Sequence, residues 1–320
     1  MRIVCAAIAA IVLFAANANA QDWPARPVKI VVPFAAGGAV DTIARVVAQN
    51  LSNSFRQQFF VENRTGAGGL IAAAAVAAAA PDGYSFVVSG VASHVIAPAM
   101  SANPGFDALR DFTHVAYLGG PPIVLVVNPQ LGVSSYREFI QKAKSDPKGL
   151  DYVSPGVGTH AFLVAEHMAS KEGIKLIHVP YKGSVPALAD LLAGHVRIGA
   201  MTWSSPAPHM RSGAMRGLAV SSDKRPAAFP DIPTFRELGH DDLVAVTWSA
   251  LSGPANLPKD IVQALNREIE RILQMSEVRE ILAKEGIELR SMGPERFTQF
   301  VEAEIARWTP IAKALSGDKK

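Results

Sequence analysis

The chain has 320 residues, 49% of them hydrophobic and 18% charged, with a formal net charge of +3. That balance describes a folded globule and excludes a disordered chain, and the length leaves room for two α/β domains. The basic residues are scattered, without runs or interleaved aromatics, so no nucleic-acid partner is expected.

The first residues read as an export leader. Met1 and Arg2 give a short basic start, and the apolar stretch 3–16 is too short to span a bilayer comfortably. Ala18-Asn19-Ala20 fits a small-x-small cleavage pattern, so residues 1–20 are expected to be a signal peptide and Gln21 the mature start. Cys5, the single cysteine, lies inside that stretch, which leaves the mature chain without disulfides or cysteine–zinc sites. The expected location is outside the cytoplasm.

Val28–Val32 is an apolar run broken only by Lys29, as in a buried parallel strand. Residues 41–51 carry Ile43, Val46, Val47 and Leu51 at helical spacing. A strand at 59–61, an alanine-rich helix at 70–80 stopped by Pro81-Asp82-Gly83, and a strand at 85–89 complete a βαβαβ order. That order implies a parallel sheet with helices on its faces. Two short apolar runs, 114–118 and Ile123–Val127, then flank Gly119-Gly120-Pro121-Pro122. A second alternating series follows, with helices at 134–145, 159–172 and 185–192 and strands at 152–154, 176–179, 196–202 and 215–221.

Past a strand at 246–251, Leu257-Pro258 opens a helix with Ile261, Leu265, Ile269 and Leu273 every four residues. Phe297, Phe300, Val301, Ile305, Trp308 and Ile311 form the stripe of a last helix. These closing helices are expected to cover the first sheet. The expected division is therefore lobe one at 21–122 and 245–320 and lobe two at 123–244, with crossovers near 119–123 and 241–246. A single large sheet is the alternative.

A glycine loop recurs where strands hand over to helices. The copies are Phe34-Ala35-Ala36-Gly37-Gly38, Arg64-Thr65-Gly66-Ala67-Gly68-Gly69 and Pro155-Gly156-Val157-Gly158-Thr159. A strand–glycine–helix junction leaves backbone N–H groups facing a cleft, with the positive end of the helix dipole behind them. Such loops in an exported chain suggest capture of a small anion. No G-x-S-x-G, H-E-x-x-H, Walker loop or cysteine nucleophile appears, and the dinucleotide fingerprint fails because Ile71 occupies its third glycine position. His160 and His167 are seven apart and invite a metal reading, but histidines beside a loop are more often surface or packing residues. No catalytic residue, metal or cofactor is therefore expected.

Several side chains near these loops are candidates for ligand contact, each with a plainer role beside it. Asp41 is expected to accept backbone N–H groups at the start of its helix, which also shapes the pocket. Ser93 and His94 follow the third strand, at the carboxyl end of a sheet where α/β clefts bind ligands, or are ordinary loop polarity. Thr159 adds a hydroxyl to the third glycine loop and can serve as a helix cap. Trp203 follows a strand and forms either a cleft wall or core packing.

Val32-Pro33-Phe34-Ala35-Ala36-Gly37-Gly38-Ala39-Val40-Asp41, followed by Ala44-Arg45, resembles the opening of the tripartite tricarboxylate transporter receptors, the Bug-type periplasmic solute-binding proteins. The motif 61–69, the turn Pro81-Asp82-Gly83-Tyr84, the stretch His178-Val179-Pro180-Tyr181-Lys182-Gly183 and the Asp190-Leu191-Leu192-Ala193-Gly194 segment are similar to later motifs of that family. The likeness extends over essentially the whole mature chain.

The resemblance implies an α/β, two-lobed venus-flytrap fold, each lobe a mainly parallel sheet flanked by helices. It implies a receptor that captures a small organic carboxylate and delivers it to membrane permease subunits, with a monomer expected. It also implies backbone and water-mediated contacts at Phe34, Ala35, Gly37, Gly38, Gly158, Thr159 and His160. Two positions depart from the family pattern. Phe162 stands where a histidine is common, and Met201, followed by Thr202 and Trp203, stands where many members carry an aspartate. A ligand with a more apolar body, selected by Met201, Thr202 and Trp203, is therefore expected. A ligand-sensing subunit for a signalling partner is the alternative role, and a secreted hydrolase a more remote one.

Overall fold

The computed structural model describes residues 23–181 and 183–317. The expected leader and its cleavage site lie outside these residues. The first half of the chain forms β1 (Val28–Val32), α1 (Ala39–Phe55), β2 (Phe59–Asn63), α2 (Leu70–Ala77), β3 (Ser85–Gly90), α3 (Ala97–Met100), β4 (Phe112–Gly119), β5 (Ile123–Val127), α4 (Tyr136–Ser145) and β6 (Leu150–Ser154). The second half forms α5 (His160–Glu172), β7 (Leu176–Pro180), α6 (Ser184–Ala193), β8 (Ile198–Thr202), α7 (Ala207–Arg211), β9 (Arg216–Val220), β10 (Ser249–Pro254), α8 (Lys259–Leu273), α9 (Ser276–Lys284) and α10 (Pro294–Gly317).

These strands build two five-stranded sheets, ordered β2-β1-β3-β10-β4 and β7-β6-β8-β5-β9. Each is mixed, with one strand running against the others. In the first sheet β10 is antiparallel to both β3 and β4, while β1 pairs parallel with β2 and β3. In the second sheet β5 is antiparallel to β8 and β9, while β6 pairs parallel with β7 and β8.

The apolar runs are continuous because both faces of each sheet are covered. Val28, Ile30 and Val32 pack against Ile43, Val47 and Leu51 of α1, and Val31 faces Ala72, Ala73 and Val76 of α2. In β5, Leu125 and Val127 join Phe139 and Leu163, while Val124 and Val126 join Ala187 and Leu191.

The chain passes between the sheets after β4 and again before β10. The two passages touch, with Pro122 bridged to Val246 and the Thr247 N–H donating to the Pro121 carbonyl at 2.9 Å. A third segment joins them, since Gly120 exchanges backbone hydrogen bonds with Glu288. A Cβ on Gly120 would lie 2.2 Å from the Thr247 carbonyl oxygen, so glycine is what lets these backbones meet.

The last helix packs Phe297 and Val301 into the same cluster as Tyr117 of β4 and reaches beyond it. Its Trp308 ring also meets His160 of the second lobe at a centroid distance of 4.9 Å. Arg307 donates to the Val244 carbonyl at 2.6 Å, and Glu304 accepts from the indoles of Trp248 and Trp308 at 2.9 and 3.2 Å. Ser276–Lys284 is a helix that the apolar pattern did not signal.

Candidate functional site

Parallel pairing puts the carboxyl ends of β1, β2 and β3 along one edge of the first sheet, and those of β6, β7 and β8 along one edge of the second. α/β sheets bind ligands at such edges. The three glycine loops lie there. Gly69 packs against Ser93 and Pro33, a Cβ at Gly69 falling 2.7 and 3.1 Å from their Cβ atoms, so the loops after β1, β2 and β3 share one surface. That surface meets the second lobe. A Cβ on Gly68 would lie 4.0 Å from the carbonyl oxygen of Gly158.

The first loop leaves β1 at Val32 and enters α1 through Gly38, which as N-cap has no side chain to bond the first helical turn. The N–H groups of that turn have no intrahelical partner. Ala35, Gly37 and Gly38 are exposed and Phe34 is half-buried. Asp41, buried at 4% exposure, is not the cap but sits in the first turn behind it. Its Oδ2 accepts from the Gly37 N–H at 3.0 Å and from Arg45 Nε at 2.8 Å, and its Oδ1 accepts from Asn63 Nδ2 at 2.8 Å. Burial works against ionisation of Asp41, but the bonds from Arg45, Asn63 and Gly37 outweigh it and hold the carboxyl below its usual range. Asn63 also donates to the Phe34 carbonyl at 3.0 Å and accepts from Arg45 Nη2 at 3.0 Å.

The third loop leaves β6 at Ser154 and enters α5 through Thr159. Here the cap has a side chain: Thr159 Oγ1 accepts from the Phe162 N–H at 3.3 Å and donates to the Gly156 carbonyl at 2.7 Å. Ser154 Oγ holds the loop from below, at 3.2 Å from the Gly156 nitrogen and 2.7 Å from His178 Nε2. Gly158 is buried and Thr159 half-buried.

Ser93, His94 and His160 are buried side chains. Ser93 Oγ is 2.9 Å from His94 Nδ1, and the His94 ring lies among Phe106 and Phe112. Burial, with His114 nearby, pushes His94 down to about 3. His160 is 1% exposed, its Nδ1 3.2 Å from Thr247 Oγ1 and its ring against Trp308. Burial, with Arg307 nearby, holds it at about 3 as well. Both imidazoles are therefore neutral at ordinary pH.

Met201, expected to help select the ligand, lies in the core of the second sheet. It is fully buried in the apolar cluster with Val124, Val126, Ala187 and Leu191, because alternation along β8 turns it to the face covered by α6. Trp203 packs on Phe229 and against Gly286, whose Cβ would come within 2.3 Å of the indole. Thr202 alone of that trio is half-buried. Among the described residues no cluster of three or more His, Cys, Asp or Glu could hold a metal ion, and no helix is long and apolar enough to cross a membrane.

The model of a family described as the tripartite tricarboxylate transporter family receptor matches residues 43–316. The chain belongs to that family. It is 36% identical over 308 residues to protein BugT of Bordetella pertussis, across 96% of this chain and 94% of that protein. Among solved structures, an R. palustris protein with adipate is 34% identical, with a TM-score of 0.86 over 92% of this chain and 99% of its own. MatC from Rhodopseudomonas palustris with bound malate is 31% identical, with a TM-score of 0.83 over 91% and 100%. As a receptor of this family the chain has the two-lobed fold of periplasmic binding proteins and the role of a solute-binding component.

Sequence reasoning missed two residues that shape the site, Arg45 and Asn63. Both stand inside motifs that carried the resemblance. The signal for Asn63 was its place at the end of a strand, directly before the second glycine loop.

Proposed function

We propose that the protein is a periplasmic receptor that closes on a small organic carboxylate and hands it to membrane permease subunits. The observation that carries this reading is the facing pair of glycine loops, with Gly68 of one lobe against the Gly158 carbonyl of the other, while α1 of the first lobe starts without a side-chain cap. Adipate and malate in the two R. palustris relatives support a carboxylate of this kind. One carboxylate group is held by the amides that follow Gly37, and the body of the ligand extends towards the third loop. Closure removes water from the cleft and strengthens the N–H to carboxylate bonds. The ligand drives closure because it touches both lobes only in the closed state. The protein works as a monomer, binds without turnover and requires no cofactor.

Native mass spectrometry of the freshly purified protein tests this reading by identifying a co-purified ligand. Calorimetry with adipate, malate and aspartate then ranks carboxylates. A carboxylate that binds and is recovered unchanged is the expected result. Failure of every carboxylate, or chemical conversion of one, overturns it.

A further inference from the structure

The carboxylate of Asp41 occupies the kind of place an anionic ligand seeks, at the amino end of a 17-residue helix with a glycine cap. Left unbalanced it would repel an incoming carboxylate and take up the amides that such a ligand needs. The structure shows what prevents this. Oδ2 is held by Arg45 Nε and the Gly37 N–H, and Oδ1 by Asn63. Both oxygens are thereby fixed, the charge is matched by a guanidinium one helical turn away, and Gly37 is the loop amide committed to it. The amides of the first turn that follow Gly38 receive no side-chain cap. Asn63 adds the second constraint. Its amide group spans Asp41 Oδ1 and the Phe34 carbonyl, at 2.8 and 3.0 Å, and its Oδ1 takes Arg45 Nη2 at 3.0 Å. The edge strand β2 thus holds both ends of the first loop through one side chain.

We propose that Arg45 and Asn63 are positioning residues for the anion site, Arg45 by cancelling the charge of Asp41 and Asn63 by fixing the loop that presents the amides. The proposal rests on the carboxylate reading above, with neither residue itself touching ligand. Charge and shape are separable. Arg45→Gln keeps a donor within reach of Asp41 but loses the charge, while Arg45→Lys keeps the charge without the planar fork.

Calorimetry with adipate as the probe should show Arg45→Gln weaker by about tenfold, ~1.4 kcal/mol, and Arg45→Lys within about threefold of the parent protein. Arg45→Gln binding like the parent, or Arg45→Lys as weak as Arg45→Gln, overturns the charge role.

The loop role is read without ligand, by amide hydrogen exchange over residues 33–40. Asn63→Ser should speed exchange there by about tenfold with the unfolding midpoint little changed, since Asn63 ends an edge strand. Unaltered exchange overturns it. If the parent protein gives no heat with adipate, the choice of that carboxylate fails, and the exchange measurement still decides whether Asn63 holds the loop.

Discussion

The loop from Val32 to Ala39 and the loop from Ser154 to His160 both join a parallel strand to a helix through glycine, one in each sheet. They are completed in opposite ways. In the first, the cap is Gly38 and the order comes from side chains elsewhere, Asp41 one turn into the helix and Asn63 on the neighbouring strand. In the third, Thr159 caps its own helix and ties back to Gly156. The first loop therefore keeps its helix amides open for an anion, whereas the third has already used one of them. Two segments with the same sequence signal differ in what they can offer a ligand, and the difference lies in who satisfies the first-turn N–H groups.

The largest effect expected from testing this comparison comes from what lies beneath the two loops. His94 is buried behind Ser93 and His160 behind Thr159, and burial holds both at about 3, with His114 in the first lobe at about 4. Unfolded, each would titrate near 6.5. Between those values the unfolded chain binds protons that the folded chain refuses, so stability is complete above about pH 6.5 and declines as pH falls. The slope approaches about 1.4 kcal/mol per pH unit for each histidine well below 6.5. Urea unfolding from pH 7 down to pH 5 should show this decline, and His94→Gln or His160→Gln should each flatten it by a similar amount. A decline that neither substitution alters would mean that these imidazoles reach solvent.

Gly38 and Gly158 separate binding from folding. A Cβ at either meets nothing within 4 Å, so neither substitution begins with a clash at that atom. Gly38 has an ordinary φ of −92, whereas Gly158 has φ +79. Gly38→Val should fold normally and bind adipate at least about tenfold more weakly, ~1.4 kcal/mol, because the side chain covers the amides. Gly158→Val should lose affinity and also about 1–2 kcal/mol of stability to backbone strain. Unchanged affinity in folded Gly38→Val would move the anion site away from the first loop.

How far the sequence reveals all this depends on the range of the interaction. Ile123–Val127 is legible to the residue because a strand covered on both faces must be apolar throughout. The glycine loops are legible because each needs glycine locally. The helix expected at 70–80 ends at Ala77, since a run of alanines carries little information about where its last turn closes. The neutrality of His94 and His160 was not legible, because the groups that bury them, Phe112 and Trp308, are distant in sequence. The burial of Met201 was hidden for a related reason. Its position along the chain marks the end of β8, but the face its side chain takes follows from the register with Val124. The brace on the first loop joins residues 34, 41, 45 and 63, and periodicity does not report such a link.

The smallest expected effect is the sharpest test of the contrast between the loops. Thr159 Oγ1 is engaged twice, with Phe162 and Gly156, so its hydroxyl serves the helix and the turn. Thr159→Ala should cost about 1 kcal/mol of stability, the usual loss for a cap of this type, and Thr159→Ser should recover most of it. Adipate affinity should fall no more than about threefold, ~0.6 kcal/mol, because the amides and carbonyls of the loop remain in place. Thermal unfolding and calorimetry on the same samples separate the two quantities. A collapse of affinity with stability intact would mean that the hydroxyl contacts the ligand directly. The third loop would then be an equal partner in anion binding, and the division between an open first loop and a self-capped third loop would have to be given up.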